Sequence, residues 1–219
     1  ADRSSKMFGR KDPVFTAVVK TAVAGEESKV AYTVVRPAAG TDEDVNTYKD
    51  AIEAKGDAIQ GNYNVTFIPA DFEVAKNTED LTVTAKGATK VYDGTPLGIA
   101  TDDITVTAAG QTAAADSYQY SVDGGEIWMD GVPTITNVGT SEVMVKAVKH
   151  GYSDAVTTTA AALKVTARPI TVTAGSASAV YSGNTLTDTS YTVSENGLAE
   201  NEKISKISFT GSISAVGSA

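Results

Sequence analysis

Few side chains in this sequence are of a type that does chemistry. There is one histidine, His150, next to the turn-forming Gly151, and there is no cysteine. A zinc centre or a nucleophile–base pair needs a second histidine or a thiol, so both lack parts. No phosphate-cradling glycine loop and no Gly-x-Ser-x-Gly elbow occurs. Carboxylates remain, and they allow two chemistries. A pair flanking a glycosidic bond could hydrolyse it, but the 27 acidic residues are scattered through turns without a pairing signal. A dense cluster could hold calcium, a hard cation that prefers oxygen. Asp42, Glu43 and Asp44, with Asp102 and Asp103, are the weak calcium candidates. No EF-hand spacing is present, and the plainer reading is solvated acidic turns. No other metal and no cofactor is called for.

Two further chemistries are weaker. A Lys–Asn or Lys–Asp isopeptide crosslink needs a buried lysine, a buried Asn or Asp and a nearby acid; Lys6, Lys90 and Lys146 are the lysines to consider. An aromatic platform could stack on a sugar, and Tyr118, Tyr120 and Trp128 cluster around one hairpin. Tyr120 and Trp128 read first as core residues of a β-module. Tyr118 and Trp128 are therefore weak ligand-binding candidates.

The elements that must position these residues are short strands. Leu81-Thr-Val-Thr-Ala85, Ile104 to Thr107, Tyr118 to Val122 and Ile170-Thr-Val-Thr-Ala174 alternate apolar with polar residues at period two. Each reads as a half-buried strand with one wet face. Asp93-Gly94, Asp123-Gly124-Gly125, Asp130-Gly131 and Ser182-Gly183 punctuate them as turns. The pattern predicts an all-β, mostly antiparallel fold.

The strands also repeat. Leu81 to Ala85 followed by Val91-Tyr-Asp-Gly-Thr-Pro-Leu97 is echoed 89 residues later by Ile170 to Ala174 and Val180-Tyr-Ser-Gly-Asn-Thr-Leu186. A period of this length predicts tandem modules. Three follow, at 1–77, 78–167 and 168–219. Their junctions, Lys76 to Asp80 and Thr166 to Pro169, are very short, which predicts a semi-rigid, elongated rod. Within 42–54, Val45, Tyr48 and Ile52 fall at helical spacing. The repeat points the other way: Val45-Asn-Thr-Tyr48 aligns with Val138-Gly-Thr-Ser141, which leads into a strand-like run. Strand is the favoured reading, module equivalence being set above local propensity. Ala215-Val-Gly-Ser218 matches Asn137-Val-Gly-Thr140, so the third module is expected to be truncated, and the sequence reads as a fragment of a longer chain.

Composition bounds the partners. The net charge is −9, from 27 acidic and 18 basic residues. That disfavours nucleic acid and anionic membrane surfaces, which demand a positive footprint. No apolar run approaches the roughly 20 residues that span a bilayer. With 42% apolar and 7% aromatic residues, each module can bury only a thin core.

Ser5-Lys-Met-Phe-Gly-Arg-Lys-Asp-Pro13 and Gly61-Asn-Tyr-Asn-Val-Thr-Phe67 resemble the MBG domain of the YGX type, whose pattern is roughly K-V-Y-G-x-x-D-P early and G-N-Y-x-V late. Val91 to Leu97, its looser copy at 180–186, and the train from Tyr120 to Trp128, Asn137 to Thr140 and His150 to Asp154 resemble MBG or bacterial Ig-like repeats. The resemblance implies small β-sandwich or β-grasp-like modules of an exported bacterial surface or cell-wall protein, without enzymatic activity. The expected role is a stalk or adhesin array. The alternative is a module that binds carbohydrate or host protein. Partners would be a host glycan, a host protein or neighbouring modules of the same chain.

Overall fold

The computed structural model describes residues 1–41, 43–195 and 197–217. They are all-β and mostly antiparallel, as the period-two runs predict. The first 77 residues hold β1 (Ser4–Met7), β2 (Thr33–Val35), β3 (Asn46–Lys55), the short β4 (Ile59–Gln60) and β5 (Tyr63–Asn64), and β6 (Ala70–Ala75). Residues 78–167 hold β7 (Leu81–Ala85), β8 (Ala88–Val91), β9 (Leu97–Gly98), β10 (Ile104–Ala108), β11 (Gln111–Thr112), β12 (Ser117–Ser121), β13 (Thr134–Ile135), β14 (Gly139–Val148), β15 (Ala155–Val156) and β16 (Ala161–Thr166). Beyond them lie β17 (Val172–Ala174) and β18 (Tyr191–Val193).

By its contacts the chain forms two compact units. One comprises Ala1–Thr84, Thr105–Gln119 and Val145–Thr158; the other comprises Ala85–Ile104, Tyr120–Met144 and Thr159–Ala219.

In the first unit the sheet order is β1-β6-β3-β2. Residues 46–55 are strand, as the repeat requires and their helical spacing does not. β3 pairs antiparallel with β6 through Asn46↔Val74 and Tyr48↔Phe72. A bulge follows Tyr48, where Asp50 takes φ 52° and donates its N–H to the Asp71 carboxylate at 3.0 Å. Aspartate tolerates this left-handed region better than most residues. The bulge returns Ile52 to the inner face, where it is fully buried with Phe72 and Val74. Phe15 meets Phe72 edge to face, at 5.6 Å between ring centroids.

β1 is not antiparallel. It runs parallel to β6, with Lys6 opposite Val74. Alternation of residues cannot foretell this, because a parallel pair joins the first and last strands of a module. The same device recurs in the second unit. There β8 runs parallel to β16, with Lys90 opposite Val165, and β16 pairs antiparallel with β14, with Gly139 opposite Val165. The triplets Lys6–Val74–Asn46 and Lys90–Val165–Gly139 thus occupy matching positions. Even the bond after the parallel strand repeats: Phe8 N–H donates to Ala75 C=O at 2.8 Å, and Tyr92 N–H to Thr166 C=O at 2.9 Å. Leu163 and Val165 of β16 are buried beside Val143 of β14, which gives this triplet its own apolar face.

Candidate functional site

Four charged side chains converge at the foot of β1. Lys6 points inward from β1, Asp12 ends the turn after it, Arg36 follows β2 and Glu43 precedes β3. The Arg36 side chain has no exposed surface and that of Lys6 has 5%. Arg36 donates through Nε and Nη2 to the two oxygens of Asp12, at 2.7 and 2.9 Å, and through Nη2 to Glu43 at 2.6 Å. Its guanidinium lies over the Phe72 ring, 4.4 Å from the centroid. Lys6 pairs with Asp12 at 2.8 Å and donates to Glu43. Two cations thus meet two anions, each shared, so no charge is buried alone.

The electrostatics follow from that sharing. The hydrogen bond from Lys6 pulls the Glu43 carboxyl down to about 2, helped by Arg36 and the Gly40 N–H and opposed by burial. The Arg36 hydrogen bonds hold Asp12 below the ordinary carboxylate range, with Lys6 adding to the effect. Burial alone would pull the Lys6 ammonium down, but its bonds to Asp12 and Glu43 outweigh that and raise it. An isopeptide bond between Lys6 and Asp12 needs the reverse: a neutral amine attacking the carbon of a neutral acid, with loss of water. Arg36 keeps Asp12 ionised and so makes its carbon a poor electrophile. The cluster is built as an ionic clasp.

A second cluster lies beside it in the same unit. The Phe8 ring meets His150 at 5.8 Å and Tyr152 at 5.7 Å, both edge to face. His150 Nε2 is 2.7 Å from Asp44 Oδ1. Asn77 is fully buried and serves both flanks. Its Nδ2 donates to Phe8 C=O and Asp80, its Oδ1 accepts from the Glu79 and Asp80 N–H groups, and its backbone bonds to Gly151 and Ser153. Arg10 adds a bond to Asp80 at 2.8 Å. The short junction at 76–80 is thus a packed, hydrogen-bonded connection.

Several residues singled out from sequence fall in these clusters. Glu43 and Asp44, considered for calcium, are engaged by Lys6 and Arg36 and by His150 respectively. Asp42 lies outside the described residues. Asp102 and Asp103 sit in a 3-10 turn at Thr101–Asp103, where Asp103 C=O accepts from Lys86 N–H. Among the described residues no group of three His, Asp or Glu side chains is placed to hold a metal ion. His150 occupies an exposed turn, as its neighbour Gly151 suggests. Lys90 bonds to Asp93 and Thr95 at its own turn. Lys146 lies 3.4 Å from Gln119. Tyr118 belongs to the first unit and Trp128 to the second, each half-buried, while Tyr120 is buried in the core.

Arg36, Phe8 and Asn77 were not singled out for a role. Only Phe8 had a signal, through its place beside Lys6 and Asp12 in the motif; a lone arginine after Val34-Val35 gives none. A groove of 470 Å³ lies between residues 17–22 and 63–68. Among the described residues that line it, Asp2 is the one carboxylate, so it lacks the paired acids of a glycosidase.

Residues 1–73 match the family model of the MBG domain (YGX type), and the clasp and the Phe15–Phe72 contact lie in that span. No curated protein and no solved structure matches the chain.

Proposed function

We propose that the chain is a non-enzymatic, load-bearing segment of a bacterial surface protein, a stalk or adhesin array that holds a distal part away from the cell. An MBG domain suggests a repeat module of a surface protein, and hence an extracellular place. One observation carries the mechanical reading. In two copies the last strand has an early strand as its parallel neighbour, β1 beside β6 and β8, which follows β7, beside β16. Tension between the start of that early strand and the end of the last slides such a pair lengthwise. The ladder bonds then load together and must break together. Had the strands been antiparallel neighbours, the same pull would open them one bond at a time.

Single-molecule pulling from both ends tests this. The first module should give an abrupt force peak with a length gain of about 25 nm, near the extended length of its chain. Smooth extension at low force would remove the load-bearing role.

A further inference from the structure

Phe8 and Tyr92 occupy equivalent positions in the first two copies. Each directly follows the strand that lies parallel to the last one, β1 or β8, and each donates its N–H to the final carbonyl of that last strand. Both rings are half-buried, and a glycine in the left-handed region follows within two residues, Gly9 at φ 75° and Gly94 at φ 81°. Both side chains also reach forward in the sequence, onto the copy that comes next. Phe8 packs on its own Ile52–Phe72–Val74 core and meets His150 and Tyr152 of the second copy edge to face. Gly151 between them makes the room, since a Cβ there would fall within 2.6 Å of three Phe8 ring atoms. Tyr92 uses its hydroxyl. It donates to Glu202 Oε1 of the third copy at 2.5 Å, while Glu202 Oε2 accepts the Ala199 N–H at 3.3 Å. Ala199 is buried, and a Cβ on Gly94 would stand 3.4 Å from its methyl group. The receiving segments differ: 150–152 follows β14, whereas 199–202 follows β18. The presenting position is what recurs.

We propose that this aromatic position is the coupling residue between successive copies, the point at which each copy docks on the next and lends it stability. In a tandem array, stability is the sum of what each copy holds by itself and what neighbours add at their junction. An aromatic suits the second task, because it offers a large contact area with only two torsions to fix. Here the ladder bond behind each ring fixes its backbone as well, so the sheet of one copy aims the contact at the other. The chemistry is matched to the receiver. Phe8, without a polar atom, sits among the two rings of its turn, and the Tyr92 phenol meets a carboxylate. The inference rests on the internal repeat and stands apart from the load-bearing role, since copies can be coupled whether or not the chain carries force.

Hydrogen exchange on the full chain tests this. Phe8→Leu keeps an apolar side chain and should speed exchange over 150–153, where Asn77 C=O holds the Ser153 N–H, by about two- to tenfold. Tyr92→Phe removes one hydroxyl and should speed exchange over 197–204 by a similar factor, leaving 150–153 unchanged. In each variant the ladder amides of the altered copy itself, in β6 or in β16, should change less than the receiving segment. Phe8→Leu together with Tyr152→Leu should then speed exchange over 150–153 by less than the product of the two single effects. Unchanged exchange in either receiving segment would overturn the proposal. So would a rise no larger than that in the copy's own ladder, or independent effects of the Phe8 and Tyr152 changes, either of which would make the aromatic a residue of its own core.

Discussion

Lys6 and Lys90 stand at the same place in two copies of one three-strand unit, and they do different things. Lys6 is closed into a clasp with Asp12, Arg36 and Glu43, under the Phe72 core. Lys90 folds back onto its own turn, to Asp93 and Thr95, and keeps one face in water. The third copy has Ala179 there. In the first two copies the strand scaffold is thus the same while the partners of the lysine differ. What the lysine contributes depends on whether loops from elsewhere, here those carrying Arg36 and Glu43, reach over it. The pairing geometry is shared by the first two copies, while the ionic clasp belongs to the first.

The sharpest way to break the comparison is Arg36→Met. It strands two carboxylates against one buried lysine, and loss of one partner in such a network costs about 3–5 kcal/mol. The denaturant midpoint should fall accordingly, whereas Lys90→Met should leave it nearly in place.

Next comes Gly151→Ala. A Cβ there would sit 2.4 Å from the Phe8 ring, on a backbone with φ +80°. Overpacking of this kind costs about 1–3 kcal/mol. The double variant with Phe8→Leu should recover part of the lost melting temperature; no recovery would mean that backbone strain dominates.

Acid should load the clasp more gently. Glu43 and Asp12 titrate lower folded than unfolded, so their stabilisation is complete above about pH 4.5 and is lost as pH falls toward 2. Lys6 titrates higher folded, so its share persists until the pH rises past 10.5. Melting temperature against pH should be flat between those limits and drop below them on the acid side. Glu43→Gln should flatten that acid limb, a shape that a general loss of stability would not produce.

The smallest effect is the most instructive. Ala179→Lys with Ser182→Asp copies the Lys90–Asp93 pair into the third copy. Exposed pairs add little, so thermal melting should not shift measurably. A clear stabilisation would show that the turn pair, and not the loops above it, decides the lysine's worth.

The repeat made much of this legible. It favoured strand within 42–54, where Val45, Tyr48 and Ile52 suggested helix, because equivalence to 138–141 carries tertiary information that local spacing does not; the strand runs over Asn46–Lys55. Lys6 and Asp12 stood in a recognisable motif and Glu43 in an acidic run, so three of the four clasp residues were in view. Arg36 was not, since its partners are distant in sequence and only folding brings them over Phe72. The parallel partners β1 and β8 were hidden for a related reason: alternation gives the face of a strand but not the direction of its neighbour. The role of Asn77 was equally hidden, because a short polar junction reads as a linker until its amide is seen bonding on both sides.

That amide has a consequence for how the chain comes apart. Asn77 ties the end of β6, the Phe8 carbonyl and the Gly151–Ser153 turn to a single side chain. A rupture that frees β6 therefore removes a support from the neighbouring turn at the same moment. Extension traces should show paired events more often than independent springs in series would give.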